Sequence, residues 1–134
     1  MAFKIVGSLE GAQPPFENSY LLTDNEGATL GEALVQTSGR LTKCGATATP
    51  EFIAVCSRTA EATSVTPLPV IRVTEMMQFS TQSMATVAVT LIGAKVTLHT
   101  DGLLVTATTS SGTFEISSTD GATTTSNVKG YFRR

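Results

Sequence analysis

The sequence contains few of the residues that usually carry chemistry. Among its 134 residues there is no tryptophan, one histidine (His99) and two cysteines, Cys44 and Cys56. Two cysteines without a C-x-x-C pair are too few for a zinc site, and no G-x-S-x-G elbow or phosphate-loop spacing is present. We therefore predict a protein that is not an enzyme, with no catalytic residue, metal site or cofactor. Both thiols are expected to be free and largely buried.

Charge and long apolar runs are scarce as well. Charged residues make up 15% of the chain, against a norm of about 25%, and the net charge is −2. Without a basic stripe to displace counterions, the chain is not expected to bind nucleic acid. No apolar run approaches the roughly 18 residues of a membrane span. The first residues, MAFKIVGSLEG, lack the apolar core of a secretory signal, so synthesis in a cytoplasm without export is expected.

Threonine and serine, by contrast, are abundant. Thr occurs 23 times and Ser 12 times, and β-branched Thr favours a half-exposed pleated surface over a helix. Three short apolar runs, at residues 33–35, 52–56 and 68–73, are separated by Gly, Pro, Ser and Thr. This pattern is typical of strands joined by turns. At this length we predict one compact all-β domain of short antiparallel strands.

Two local patterns leave alternatives open. A three-residue loop at 37–39 would place Val35 opposite Leu41, whereas a two-residue loop would pair Val35 with Thr42. The apolar match favours the longer loop. Residues 75–84 are ambiguous between a strand and a short helix, and the alternation of Met77 and Phe79 favours the strand.

Turn signals are clearest in the last third of the chain. An Asp-Gly turn at 101–102 pairs Leu98 with Val105, and a Ser-Gly turn at 111–112 continues the register. These turns predict a three-stranded meander in which the strand after residue 102 lies between the other two. A final strand is predicted at 128–133, with Tyr131 or Phe132 facing inward.

The beginning of the chain differs from the remainder. Prolines and Gly11 exclude both a helix and a central strand over residues 9–18. We predict an extended N-terminal arm over residues 1–18, followed by a single β-rich domain over residues 19–134. A disordered terminus is the alternative. The residues predicted to attach this arm to a partner are Phe3, Lys4, Ile5, Val6, Pro14, Pro15 and Phe16.

Five short blocks, in this order, carry a resemblance to a known family. They read G-E-A-L-V-x-x-x-G-R-L-T-K, T-P-E-F-I-A-V, L-P-V-I-R-V, V-T-L-H-x-D-G-L-L-V-T-A-T-T-x-x-G and K-x-Y-F-R, at residues 31–43, 49–55, 68–73, 96–112 and 129–133. Together they span roughly residues 30–133, and the sequence resembles the capsid decoration (cement) proteins of tailed bacteriophages and prophages. The two cysteines and the Thr-rich loop at 119–127 have no counterpart in that pattern.

The resemblance implies a compact β-barrel or β-tulip-like fold and a structural role in the virion. It implies that homotrimers bind the outer surface of an expanded phage head, at three-fold positions, and stabilise it by bridging subunits of the major capsid protein. It also implies that the arm adds to a strand of that protein, a mode in which backbone hydrogen bonds supply much of the affinity. The alternative is another phage structural module, such as a tail-tube or fibre-associated β-domain.

Overall fold

The computed structural model describes residues 2–9 and 16–133. Within them, ten strands form two five-stranded antiparallel sheets that do not close into a barrel. Sheet I has the strand order β1-β7-β10-β9-β8, and sheet II has the order β2-β6-β5-β3-β4. The prediction of an all-β domain built from short antiparallel strands is confirmed.

The strands are short, as the spacing of the turn residues predicts. They are β1 (Lys4–Ser8), β2 (Phe16–Glu17), β3 (Ala33–Thr37), β4 (Arg40–Lys43), β5 (Phe52–Ala54), β6 (Val70–Arg72), β7 (Met77–Gln82), β8 (Lys95–Val96), β9 (Phe114–Thr119) and β10 (Asn127–Phe132). The one helical element in the described residues is a single 3-10 turn, Val89–Leu91, which is far too short to cross a bilayer. Strand β1 joins the sheet of the C-terminal strands, whereas β2 to β6 form the other sheet.

The main core lies between the two sheets and is centred on phenylalanine rings. The ring of Phe132 packs against those of Phe3, Phe79 and Phe114, with centroid separations of 5.0, 5.3 and 5.1 Å. All four side chains are buried. Tilted aromatic pairs at such separations add to the stabilisation that burial itself provides. Sheet I therefore contributes its inner face to this core.

A second core lies on the other face of sheet II. Leu34, Leu41 and Phe52 pack there against Leu22 and Leu68, which come from connecting loops. Sheet II is thus buried on both faces, between sheet I and a layer of loops. Sheet I is buried on one face, because its outer residues, such as Lys4 and Lys129, are exposed.

Two of the predicted strands are confirmed by the structure. In β7 the side chains of Met77, Phe79 and Thr81 are buried and alternate with partly exposed polar ones. The strand interpretation of this segment is therefore correct and the helical alternative is wrong. In β10 the side chain of Phe132 is buried, in agreement with the predicted final strand.

The register predicted for the β3–β4 hairpin is wrong. Val35 pairs with Thr42, and Ser38 and Gly39 form a two-residue turn in which both residues have positive φ (52° and 77°). Positive φ at both positions is the geometry of a type I′ turn, the one that suits the twist of a hairpin. The prediction paired apolar residues with each other. Such pairing does not identify the register here, because both faces of sheet II are buried.

The predicted meander is also wrong in its strand order. Leu98 does lie opposite Val105, as the Asp-Gly turn predicts, and backbone hydrogen bonds also join residues 97 and 99 to residues 104–108. Strand β8 pairs directly with β9 instead, with Val96 opposite Phe114. A Cβ atom on Gly112 would lie 2.2 Å from the carbonyl oxygen of Lys95. The close approach of β8 and β9 therefore requires a glycine at this position.

Candidate interaction surface

Each sheet ends in a short edge strand on the same side of the domain. Strand β1 is the terminal strand of sheet I and β2 is the terminal strand of sheet II. Between them lies a groove of about 350 Å³, which we call the edge groove. Its lining is mostly apolar and includes Phe3, Lys4, Ile5, Phe16, Leu30 and Ile71. Apolar grooves with few polar groups are the usual form of a binding site on a protein surface.

Strand β1 is held in place at its N-terminal end. The Phe3 side chain is only 2% exposed and belongs to the core between the sheets, while its N–H donates to the carbonyl oxygen of Gly31 (3.1 Å). Beyond this anchor, β1 pairs with β7, and Val6 forms a β-bulge between Ile5 and Gly7. Bulges are common on edge strands because they discourage long, unspecific strand pairing.

Strand β2 is held by a polar network. It pairs with β6 through Phe16 and Glu17. The Arg72 guanidinium donates to both carboxylate oxygens of Glu17 (3.0 and 3.2 Å) and to the hydroxyl of Tyr20 (2.7 Å). The hydrogen bond from Arg72, followed by one from Tyr20, lowers the pKa of Glu17. Meanwhile the Phe16 side chain lines the edge groove and is 69% exposed.

Exposed apolar side chains are concentrated around this side of the domain. Of the nine large apolar side chains that are exposed in the described residues, five belong to β1, β2, the groove lining or the adjoining segment: Val6, Leu9, Phe16, Leu30 and Met76. Leu9 and Met76 are neighbours, since the Leu9 N–H donates to the Met76 carbonyl oxygen at 2.8 Å. Isolated exposed apolar residues are ordinary, but a cluster at an open sheet edge indicates an interaction surface.

Charge at the edge groove is confined to one residue. Lys4 is the only charged residue that lines it within the described part of the chain, and it forms no ion pair there. Lys4 also lines the concave outer face of sheet I, where it lies opposite Ser80 in the β1–β7 register. Among the described residues, the groove therefore combines an apolar floor with one cation, Lys4, that forms no ion pair.

The structure brings most of the predicted attachment residues to this one place. Phe3, Lys4, Ile5 and Phe16 line the groove, and Val6 is exposed on β1. The predicted Pro14 and Pro15 lie outside the described residues. The described parts of residues 1–18 form β1 and β2, and both strands pair with strands of the same chain. An attachment role for this segment stays a prediction.

Sequence reasoning missed the residues that complete the groove. Leu30 lies just before β3 and Ile71 lies in β6, and neither has a local pattern that marks a binding residue. Their proximity to β1 results from the packing of the two sheets. A lone exposed Leu beside a glycine was the one available signal, and it is a weak one.

No chemically active cluster is found elsewhere in the described residues. No three of their His, Cys, Asp and Glu side chains are grouped so as to hold a metal ion. His99 lies 3.2 Å from Asp101, whose carboxylate accepts the N–H of Leu103 within the same turn. Burial raises the pKa of the Cys44 thiol to about 12, so this thiol is not a nucleophile at neutral pH.

No protein-family model, curated protein or solved structure matches this chain. Its function is therefore inferred from the order of the sequence blocks, the two-sheet fold and the edge groove.

Proposed function

We propose that this protein is a capsid decoration protein of a tailed phage or prophage. It binds the outer surface of an expanded head and stabilises the shell by bridging subunits of the major capsid protein. It acts as a homotrimer seated at three-fold positions, and it uses no cofactor. Many copies on one lattice multiply the effect of weak individual contacts.

The edge groove is the observation that carries the binding role. An open side between two edge strands offers an apolar surface together with a strand edge, and both are suited to an extended segment of another protein. The choice of the capsid as the partner is supported by the resemblance over residues 30–133. The all-β fold is compatible with that resemblance.

Point substitutions test this proposal better than removal of residues 1–18. Deleting that segment would take β1 out of sheet I and the Phe3 ring out of the core, so loss of binding could reflect unfolding. The exposed side chains of Phe16 and Leu30 can be changed without removing a core residue.

The test is binding of purified protein to expanded empty heads of the encoding phage, measured by co-sedimentation. Phe16→Ser combined with Leu30→Ser should weaken binding at least about tenfold, because clustered apolar contacts carry most of the energy of an interface. The matched control is Val65→Ser combined with Val89→Ser, which changes two equally exposed apolar residues away from the groove. The control should bind like the wild type.

Two outcomes would contradict the proposal. One is full occupancy of heads by the Phe16→Ser, Leu30→Ser variant, with its fold verified by circular dichroism. The other is electron microscopy of labelled particles that places the protein on the tail and not on the head, as expected of a tail-tube or fibre-associated domain.

A further inference from the structure

We propose that the edge groove takes an extended segment of the partner in which apolar residues alternate with acidic ones. This inference rests on the proposed function only in using the same groove; it specifies the chemistry of the segment that enters. It follows from the two faces of β1, because Ile5 faces apolar surface and Lys4 carries a positive charge on the other face.

The free edge of β1 determines the conformation of the incoming segment. β7 is the one strand that pairs with β1 in the described residues, and beyond the Phe3–Gly31 hydrogen bond none of those residues pairs with the opposite edge at Lys4 and Ile5. A segment that pairs with this edge must be extended, and its side chains then point alternately to the two faces of sheet I. The bulge at Val6 limits the regular pairing to a few residues.

The inner face of that added strand would meet apolar surface. Ile5 lines the edge groove, and Phe16 and Leu30 line it as well, with 69% and 55% of their surfaces exposed. A bulky apolar side chain placed beside Ile5 would cover all three. A polar one would be desolvated there without a partner, which is unfavourable.

The outer face of the added strand would meet positive charge. Across sheet I, Lys4 lies opposite Ser80, Ser80 lies opposite Lys129, and Lys129 lies opposite Ser118. This row contains two exposed lysines; the carboxylate that lines the same concave face, Asp120, lies outside the row, after the end of β9. Neither Lys4 nor Lys129 forms an ion pair with the described residues. A strand added beside β1 extends the row by one position, directly next to Lys4, where an acidic side chain is favoured.

A second copy of this chain does not meet these requirements through β1. The sequence of β1 is KIVGS, which contains no acidic residue. Pairing two copies of β1 would bring cation rows together, and like charges on facing strands are destabilising. The groove therefore favours a different protein, one with a strand in which acidic and apolar residues alternate.

Two blocked heptapeptides test the pattern directly. One alternates Asp with Val (TDVDVDT) and the other alternates Lys with Val (TKVKVKT). Binding to the full-length protein is followed by amide chemical shifts, with Ile5 as the reporter. The wild type should bind the acidic peptide more tightly, by up to about fivefold, which is the upper range for one cross-strand charge pair.

Variants establish which residues are responsible. Lys4→Glu should reverse the preference between the two peptides, and Phe16→Ser should weaken both. Lys129→Glu is the matched control, because it makes the same charge change on the same face about 10 Å further from the edge. At physiological salt, screening leaves little effect of the charge at residue 129 on the peptide at that distance.

The inference is wrong if the two peptides bind equally, if neither binds, or if the shifts map away from Ile5. Its failure is distinguishable from that of the proposed function. If heads capture the protein but neither peptide binds, only the proposed alternation of apolar and acidic residues in the segment is wrong. If the protein prefers the acidic peptide but does not bind heads, the proposed alternation stands and the capsid is not the partner.

Discussion

The two sheets have equal numbers of strands but different surroundings, and the sequence reflects this difference. Sheet II lies between sheet I and a layer of loops, and its strand β5 (Phe52–Ala54) is buried at every residue. Sheet I faces the core on one side only, and its strand β7 (Met77–Gln82) alternates between buried and partly exposed residues. Continuous apolar strands thus indicate a sheet covered on both faces, and alternating strands a sheet covered on one.

The largest expected effect comes from deleting side chains at successive positions of a strand in each sheet. In β5, Phe52→Ala and Ile53→Ala should each destabilise the protein, by about 3–5 and 2–5 kcal/mol, because the two side chains fill different cores. In β7, Phe79→Ala should cost about 3–5 kcal/mol, whereas Ser80→Ala should change stability by less than about 0.5 kcal/mol. Urea denaturation of the four variants measures these differences.

The informative quantity is the difference in destabilisation between the two neighbouring positions of each strand. Phe52 and Ile53 should be similar in cost, while Phe79 and Ser80 should differ several-fold. If Phe52→Ala proved as mild as Ser80→Ala, the loop layer over sheet II would not be a packed core in solution.

Alternation and turn residues made part of this fold predictable. Phe79 in β7, Phe132 in β10 and the turn at 101–102 all follow from local patterns. The direct pairing of Val96 with Phe114 does not, because residues 103–109 have the composition of a strand and yet bond to residues 97–99 and to the end of β7, not to β9. That competition is between distant segments, and it is decided by close approach at Gly112.

The candidate site was predictable only in part, for a similar reason. An arm rich in Pro and Gly drew attention to residues 1–18, and Ile5 and Phe16 do line the edge groove. Leu30 and Ile71 reach the groove through packing of one sheet on the other, which no local pattern encodes. Lys4 is the one charged residue among the described residues that line the groove, and this is a property of the assembled surface.

A smaller effect is expected from Glu32, the one carboxylate that is buried among the described residues. Glu32 is 4% exposed; its Oε1 accepts the N–H of Thr29 (3.1 Å), and its Oε2 has no hydrogen-bond partner among the described residues. Burial raises the pKa of Glu32; the hydrogen bond from Thr29 and the charge of Lys43 oppose the rise, and the carboxylates of Glu26 and Asp101 add to it. Glu32→Gln should therefore stabilise the protein at neutral pH, by on the order of 1 kcal/mol.

The pH dependence has a definite sign. The pKa of Glu32 is higher in the folded than in the unfolded state, so its contribution is most favourable below the unfolded pKa. That contribution is lost as the pH rises through the folded pKa. The advantage of Glu32→Gln should thus grow from acidic to neutral pH in urea denaturation series. Exposed Glu75→Gln is the control and should show no such trend. A Glu32→Gln variant less stable than the wild type at neutral pH would contradict this account.

The smallest effect concerns the register of sheet II. A one-residue slip in β3 would exchange Val35, which faces the core between the sheets, with Leu34, which faces the loop layer. Because both faces accept apolar residues, burial alone specifies this register weakly, and the turn must contribute. That turn places Ser38 at a positive φ of 52°, a conformation that Asn adopts at lower cost than Ser.

Ser38→Asn should consequently stabilise the protein by up to about 1 kcal/mol, measured as a higher urea midpoint at unchanged slope. Thr37→Asn is the matched control, since Thr37 precedes the turn and does not have a positive φ. It should be neutral or slightly destabilising, because Asn is disfavoured in strands. Equal gains from both variants would mean that the two-residue turn does not determine the pairing of Val35 with Thr42. The register would then depend on side-chain packing in sheet II, as it does in sheet I.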